Sequence, residues 1–166
     1  SQINGVYTLA DALDPERPNV AKLLQQGGYQ TAMIGKWHLK TDPTGFDHWN
    51  VLPGQGKYYN PVLIDHGVEK THSGYCTDII TDFTLDWLQN RDKDKPFFLM
   101  SHHKAPHGLW EYNTKYENLF DGIDIPEPDS LFEDKSHRSI GTRNHGSGML
   151  QLANRMEGKG PTGRAD

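Results

Sequence analysis

Pro18-Asn19-Val20-Ala21-Lys22-Leu23-Leu24-Gln25-Gln26-Gly27-Gly28, followed by Gln30-Thr31-Ala32-Met33-Ile34-Gly35, decides the fold class. A proline near the start of a short periodic run suits a helix N-terminus, and the glycine pair supplies a left-handed stop just past its end. Val20, Leu23 and Leu24 share one face of that helix. Gln30 to Ile34 reads as a short strand ending at Gly35. Helix, glycine turn and strand in that order predict an α/β unit. A second helix and strand lie downstream. In Cys76 to Asn90, Ile79, Phe83 and Trp87 recur at i, i+4 and i+8, with Ile80 and Leu88 beside them, while Asp78, Asp82, Asp86 and Gln89 lie elsewhere. The polar turn Arg91 to Lys95 then leads into Pro96-Phe97-Phe98-Leu99-Met100, a continuous apolar run that predicts a strand buried on both faces, as in a parallel sheet.

The rest of the chain is more irregular. Ser1 to Arg17 reads as loop with one short turn. Lys40 to Gly74 is rich in Gly, Pro, Asn, Asp and Tyr and predicts loops with a few short strands, such as Pro61 to Asp65. Beyond Pro106, a helical turn is expected within Tyr112 to Phe120, an extended segment at Ile125-Pro126-Glu127-Pro128, and a helix at Met149 to Met156 inside a glycine-rich stretch from 136 to 166. No internal repeat is present.

The 166 residues suffice for a compact domain with a real core. Apolar runs and aromatics recurring from Val20 to Phe132 argue against disorder. A net charge of −5 argues against a nucleic-acid or anionic-membrane binder. No apolar run approaches membrane-spanning length. With a single cysteine, Cys76, no disulfide can form within the chain. The chain starts at Ser1 with no leader, so both ends are expected to be cut, and the missing signal peptide says nothing about the parent protein.

Two basic clusters follow the two expected strands: Gly35-Lys36-Trp37-His38-Leu39-Lys40 and His102-His103-Lys104-Ala105-Pro106-His107. Ligands of open parallel sheets bind outside the carboxyl ends of the strands, so both clusters are delivered to one rim. An acidic chain that gathers Lys and His there suggests a site for a tetrahedral oxyanion. Lys36 and His38 are alternate residues and point to one side, with Trp37 to the other; a joint role and a plain solvated edge both fit. His102 and His103 cannot both face the rim, so at least one is structural or exposed. Pro106 restricts the backbone before His107 and could fix where it points, although an ordinary loop histidine also fits. Zinc is a further reading of the histidines, but no helical His pair and no Cys pair supports it. Cys76 opens a helix, which can activate a thiol, yet it has no evident partner and a buried structural role is favoured. Asp78, Asp82 and Asp86 read as a solvated helix face rather than a metal site.

Residues 28 to 39, Gly-Tyr-Gln-Thr-Ala-Met-Ile-Gly-Lys-Trp-His-Leu, resemble the second signature of the type I sulfatases. Gly45-Phe46-Asp47, Gly74-Tyr75 with Thr77-Asp78, Lys95-Pro96-Phe97-Phe98-Leu99, Lys104-Ala105-Pro106-His107 and Ile125-Pro126-Glu127-Pro128 are similar to further motifs in the family order. The resemblance is strongest over 19–131 and implies that 1–166 is part of a sulfatase catalytic domain, with an alkaline-phosphatase-like α/β fold built on a mainly parallel central sheet flanked by helices. It implies a formylglycine nucleophile and a calcium ion in the full-length parent. By resemblance, Lys36 contacts the sulfate, His38 hydrogen-bonds the formylglycine hydrate and helps expel sulfate, and His107 contacts the sulfate near the bridging oxygen. His103 and Lys104 are candidate substrate contacts. A periplasmic or secreted parent is also implied.

Departures from the family pattern limit what the chain does by itself. Cys76 is followed by Thr77-Asp78-Ile79-Ile80, which lacks the Pro/Ala and Arg of the formylglycine motif. No acidic pair for calcium stands near the N-terminus or after Leu131, so no metal ligand is assigned. Lys40 stands where the family usually has glycine. The leading expectation is a sulfuric ester hydrolase acting on sulfated carbohydrate in the parent, with this chain inactive alone. The alternatives are a phosphoester hydrolase of the same superfamily and a catalytically dead remnant or binding domain.

Overall fold

The computed structural model describes residues 4–108, 110–132 and 134–143; the expected helix at Met149 to Met156 lies outside them. The chain divides into two compact units, Ser1–Asn113 and Thr114–Asp166. The first unit contains α1 (Val20–Gln26), β1 (Gln30–Trp37), β2 (His48–Pro53), β3 (Val62–Asp65), β4 (Val68–Thr71), α2 (Cys76–Asn90) and β5 (Phe97–His102). In the second unit, the described residues form short 3-10 turns at Thr114–Tyr116, Asp129–Phe132 and Lys135–His137 and one helical turn, α3 (Ile140–Arg143).

The five strands form one sheet in the order β4-β3-β2-β1-β5. The expected α/β class is found. β1 pairs parallel with β2 and β5, while β3 and β4 extend the sheet as an antiparallel hairpin. The hairpin turns at His66-Gly67, both at positive φ, which suits the right-handed twist of the flanking strands. β2, a central strand, is among the few short strands expected between Lys40 and Gly74, but its place there is not specified by the sequence, because its His, Trp, Asn and Pro mask the alternation that marks strands.

β1 is the pivot of the core. Thr31 to Ile34 are wholly buried, as expected for a strand with neighbours on both edges and cover on both faces. Ile34 packs with Leu52, Cys76 and Ile80 beneath α2, with Phe83, Trp87 and Leu99 around them. Met33, on the other face, packs with Trp49 and Val51, with Trp37, Phe46, Ile64 and Met100 around them. At 25 cal/mol per Å², each such buried side chain contributes about 1.5–3 kcal/mol.

Three local expectations are corrected. β1 does not stop at Gly35 but runs on to Trp37; the glycine marks a close approach within the strand, not a turn. β5 is not buried on both faces: Phe97 is 40% exposed and the remainder is half-buried, because β5 is the outermost strand of this sheet. The apolar face assigned to α1 is also not its buried face. Val20 and Leu23 face solvent, and Ala21 makes the buried contact. This two-turn helix is held by its ends instead. Asn19 caps it by accepting from the Lys22 N–H at 2.9 Å, and Gly28, at φ +85, ends it.

Candidate active site

The carboxyl ends of β5, β1 and β2 converge on one rim. Gly35 sits directly opposite His102, and a Cβ there would lie 2.0 Å from the His102 carbonyl oxygen. The absent side chain therefore lets the two strands close up where the two basic clusters begin. His102 Nδ1 lies 3.3 Å from the Lys36 carbonyl oxygen. A carbonyl only accepts, so Nδ1 carries the proton and the half-buried imidazole ties β5 to β1.

Lys36 extends from β1 towards the loop after β2, where its Nζ donates to Gln55 Oε1 at 2.9 Å. Lys104 reaches the same residue from the loop after β5, its Nζ donating to the Gln55 carbonyl oxygen at 3.0 Å. The Lys104 ammonium also lies 4.6 Å from the centre of the Tyr58 ring, a cation–π contact. Lys104 is 6% exposed and Lys36 is half-buried, and neither pairs with a carboxylate among the described residues. Burial holds the Lys36 pKa below the ordinary lysine value, and the nearby Lys104 charge lowers it further.

Tyr58 links this pair to the remaining candidate. It is 3% exposed, and its hydroxyl donates to the His107 carbonyl oxygen at 2.6 Å. The His107 N–H in turn donates to the Lys104 carbonyl oxygen at 3.0 Å, closing a turn across the cis Ala105–Pro106 bond. The backbone of the second cluster is thus fixed at the rim while the His107 side chain is exposed. His103 is also exposed, and His38 is half-buried one residue beyond β1. Lys36 and Lys104 are therefore brought together, and His107 is tethered beside Lys104. His102 is spent on the strand pair. Gln55 and Tyr58 were missed in the sequence. Their signal was Gly54-Gln55-Gly56, where both glycines take positive φ and a side chain at Gly56 would meet Leu52 at 2.5 Å.

The other chemistry-bearing residues resolve differently. Cys76 is completely buried, and burial pushes its thiol up to about 11, so it is a core residue rather than a nucleophile. His48, Asp65 and His66 bring their donor atoms within 4.8 Å of one another. However, the Nε2 lone pair of His66 already accepts the Trp49 N–H at 3.2 Å. That hydrogen bond makes His66 a cap on the β2–β3 ladder.

A family model for sulfatases matches residues 1–146. The chain belongs to the sulfatase family. An N-acetylglucosamine-6-O-sulfatase of Bacteroides thetaiotaomicron is 46% identical over 146 residues, covering 86% of this chain and 26% of that protein. An N-acetylglucosamine-6-sulfatase of Capra hircus is 30% identical over 147 residues, covering 78% of this chain and 25% of that protein. Among solved structures, a protein in complex with its substrate D-glucosamine-2-N,6-O-disulfate superposes with a TM-score of 0.77 at 45% identity, covering 86% of this chain and 30% of that one. The chain thus spans about a quarter of the length of the curated sulfatases it matches. The likeness bears out the family expected from the ordered motifs, together with its alkaline-phosphatase-like α/β fold.

Proposed function

We propose that the protein hydrolyses sulfate esters of carbohydrates and that this chain supplies the cationic grip on the sulfuryl oxygens. The pair Lys36 and Lys104, half-buried and buried at one strand rim without a carboxylate, carries this reading. Each charge placed 4 Å from an anionic oxygen at an effective dielectric of 20 is worth about 4 kcal/mol. Interactions of this kind accelerate reaction where charge grows in the transition state. His107, exposed on the loop fixed by Tyr58, is assigned to the bridging oxygen, where an imidazolium gives its proton to the departing alcohol as the S–O bond breaks. His38, just past β1, is assigned to proton transfer during sulfate release. His103, exposed beside Lys104, suits contact with the rest of the substrate.

A 6-O-sulfated N-acetylglucosamine unit is the substrate we favour, a reading supported by the names of the two relatives described above. An extracellular site of action is supported by a further relative, the extracellular sulfatase SULF-1 homolog of Drosophila melanogaster. The described residues do not fit the two groups the family resemblance implies. Cys76, closed in the core and outside the required motif, does not suit conversion to formylglycine. His48, Asp65 and His66 offer two imidazoles, unlike the oxygen shell calcium takes.

The test is sulfate release by the protein in the full length its gene encodes, from 4-nitrophenyl sulfate and from N-acetylglucosamine 6-sulfate, with 4-nitrophenyl phosphate in parallel. Turnover of the sulfates is expected, with kcat/KM falling about 100-fold or more in Lys36→Met. Turnover of the phosphate alone sinks the proposal in favour of a phosphoester hydrolase.

A further inference from the structure

We propose that Gln55 is a positioning residue of the sulfate site, holding the ammonium groups of Lys36 and Lys104 with neutral acceptors so that their charge stays uncompensated until the anion arrives. This inference rests on the sulfate-ester proposal for the same rim. An ammonium group only donates, so both contacts have Gln55 oxygens as acceptors: Oε1 for Lys36 at 2.9 Å and the carbonyl oxygen for Lys104 at 3.0 Å. One residue thereby orients two cations that arrive from different strands.

The choice of an amide is informative. Two exposed cations pair with carboxylates, Arg17 with Asp14 and Lys95 with Asp92, both at 3.6 Å, while Lys22 and Lys93 donate to backbone carbonyls of Arg17 and Leu88. At Lys36 and Lys104, which are less exposed, the chain uses an amide, a carbonyl and an aromatic face. Buried charges are ordinarily paired, because leaving one without a counter-charge is unfavourable. A glutamate at position 55 would supply that counter-charge with almost the same shape, and would also fill the electrostatic role of the substrate. The surrounding turn shows how the residue is set. Gly54 and Gly56 take φ +58 and +63, and Gly56 is packed against Leu52. The glycines, not the Gln55 side chain, aim the carbonyl that receives Lys104. Substitution at 55 therefore alters the Lys36 contact and leaves the Lys104 contact in place.

The experiment uses the full-length protein with Gln55→Glu and Gln55→Ala, reading KM and kcat with 4-nitrophenyl sulfate and the inhibition constant of inorganic sulfate. Q55E keeps an acceptor for Lys36 but adds a negative charge. It is expected to raise KM and the sulfate inhibition constant at least 10-fold, with an unchanged or raised melting temperature. Q55A is expected to weaken sulfate about threefold by freeing Lys36. A merely structural role gives the opposite order, with Q55E behaving as a conservative rescue and Q55A as the worse variant. Sulfate inhibition within twofold of wild type in Q55E overturns the inference. Unchanged inhibition in Q55A does the same, should Q55E not accumulate as folded protein. Wild-type protein that neither turns over sulfate esters nor binds sulfate overturns the sulfate-ester proposal itself, and this inference with it.

Discussion

A methyl group on Gly35 would lie 2.0 Å from a backbone oxygen of β5, and the residue already sits at φ +102. Gly35→Ala therefore forces the strands apart as well as straining the backbone, and a loss of about 2 kcal/mol or more is expected from the urea midpoint. Since Lys36 follows directly, sulfate inhibition should weaken in the same variant. At Lys36 itself, burial first and the Lys104 charge second disfavour the protonated form. Deprotonation removes the grip, so sulfate binding is lost as pH rises through a value below the ordinary lysine range. Lys104→Met takes away the like charge, which raises the Lys36 pKa. The alkaline limb of sulfate inhibition should then move to higher pH, even as inhibition at neutral pH weakens. Cys76 offers a contrasting test. With its thiol raised to about 11 by burial and fully enclosed, it should resist iodoacetamide at pH 8 in the folded protein and react once urea unfolds the chain.

Among the elements, the segment between β1 and β2 shows how a motif can serve structure alone. Phe46 packs edge-on against Trp37 and stacks on Phe98, at centroid distances of 6.3 and 6.4 Å. Asp47 accepts from the Thr31 N–H at 2.9 Å and from Gln25 Nε2 at 2.6 Å, joining the start of β1 to α1. Burial raises the Asp47 pKa, but these bonds outweigh it and hold the group below the usual aspartate value. Its contribution to stability is therefore present above the unfolded pKa and lost as pH falls through the folded one. Asp47→Ala should destabilise by about 1 kcal/mol at pH 7, the carboxylate being largely exposed, and by less near pH 3. Lys40, just past the first basic cluster, takes φ +65. A residue with a Cβ is disfavoured there by roughly 1–2 kcal/mol, which explains why the family resemblance puts glycine at that place. Lys40→Gly should raise thermal stability by about 1 kcal/mol, less the entropy that glycine adds to the unfolded chain.

Among the described residues, the core is one sheet whose inner strand β1 is buried from Thr31 to Gly35 and whose outer strand β5 leaves Phe97 exposed. An outer strand with open backbone groups templates further pairing. The 166-residue chain expressed alone should therefore self-associate with rising concentration in sedimentation, and should release no sulfate from 4-nitrophenyl sulfate. Folded, monomeric and active protein would contradict both expectations. No described helix is long and apolar enough to cross a membrane. The sequence by itself determined the α/β class, the bounds of α2, the family and the two basic clusters, because periodicity, apolar runs and glycine stops are local signals. Tertiary structure alone decided which basic residues meet. Lys36 and Lys104 are far apart in sequence, and their common acceptor Gln55 belongs to a loop with no periodicity. It also decided that Cys76 is closed in the core and that His102 ties β5 to β1. Burial and hydrogen-bond partners depend on what packs around a residue, and that is fixed only once the sheet has formed.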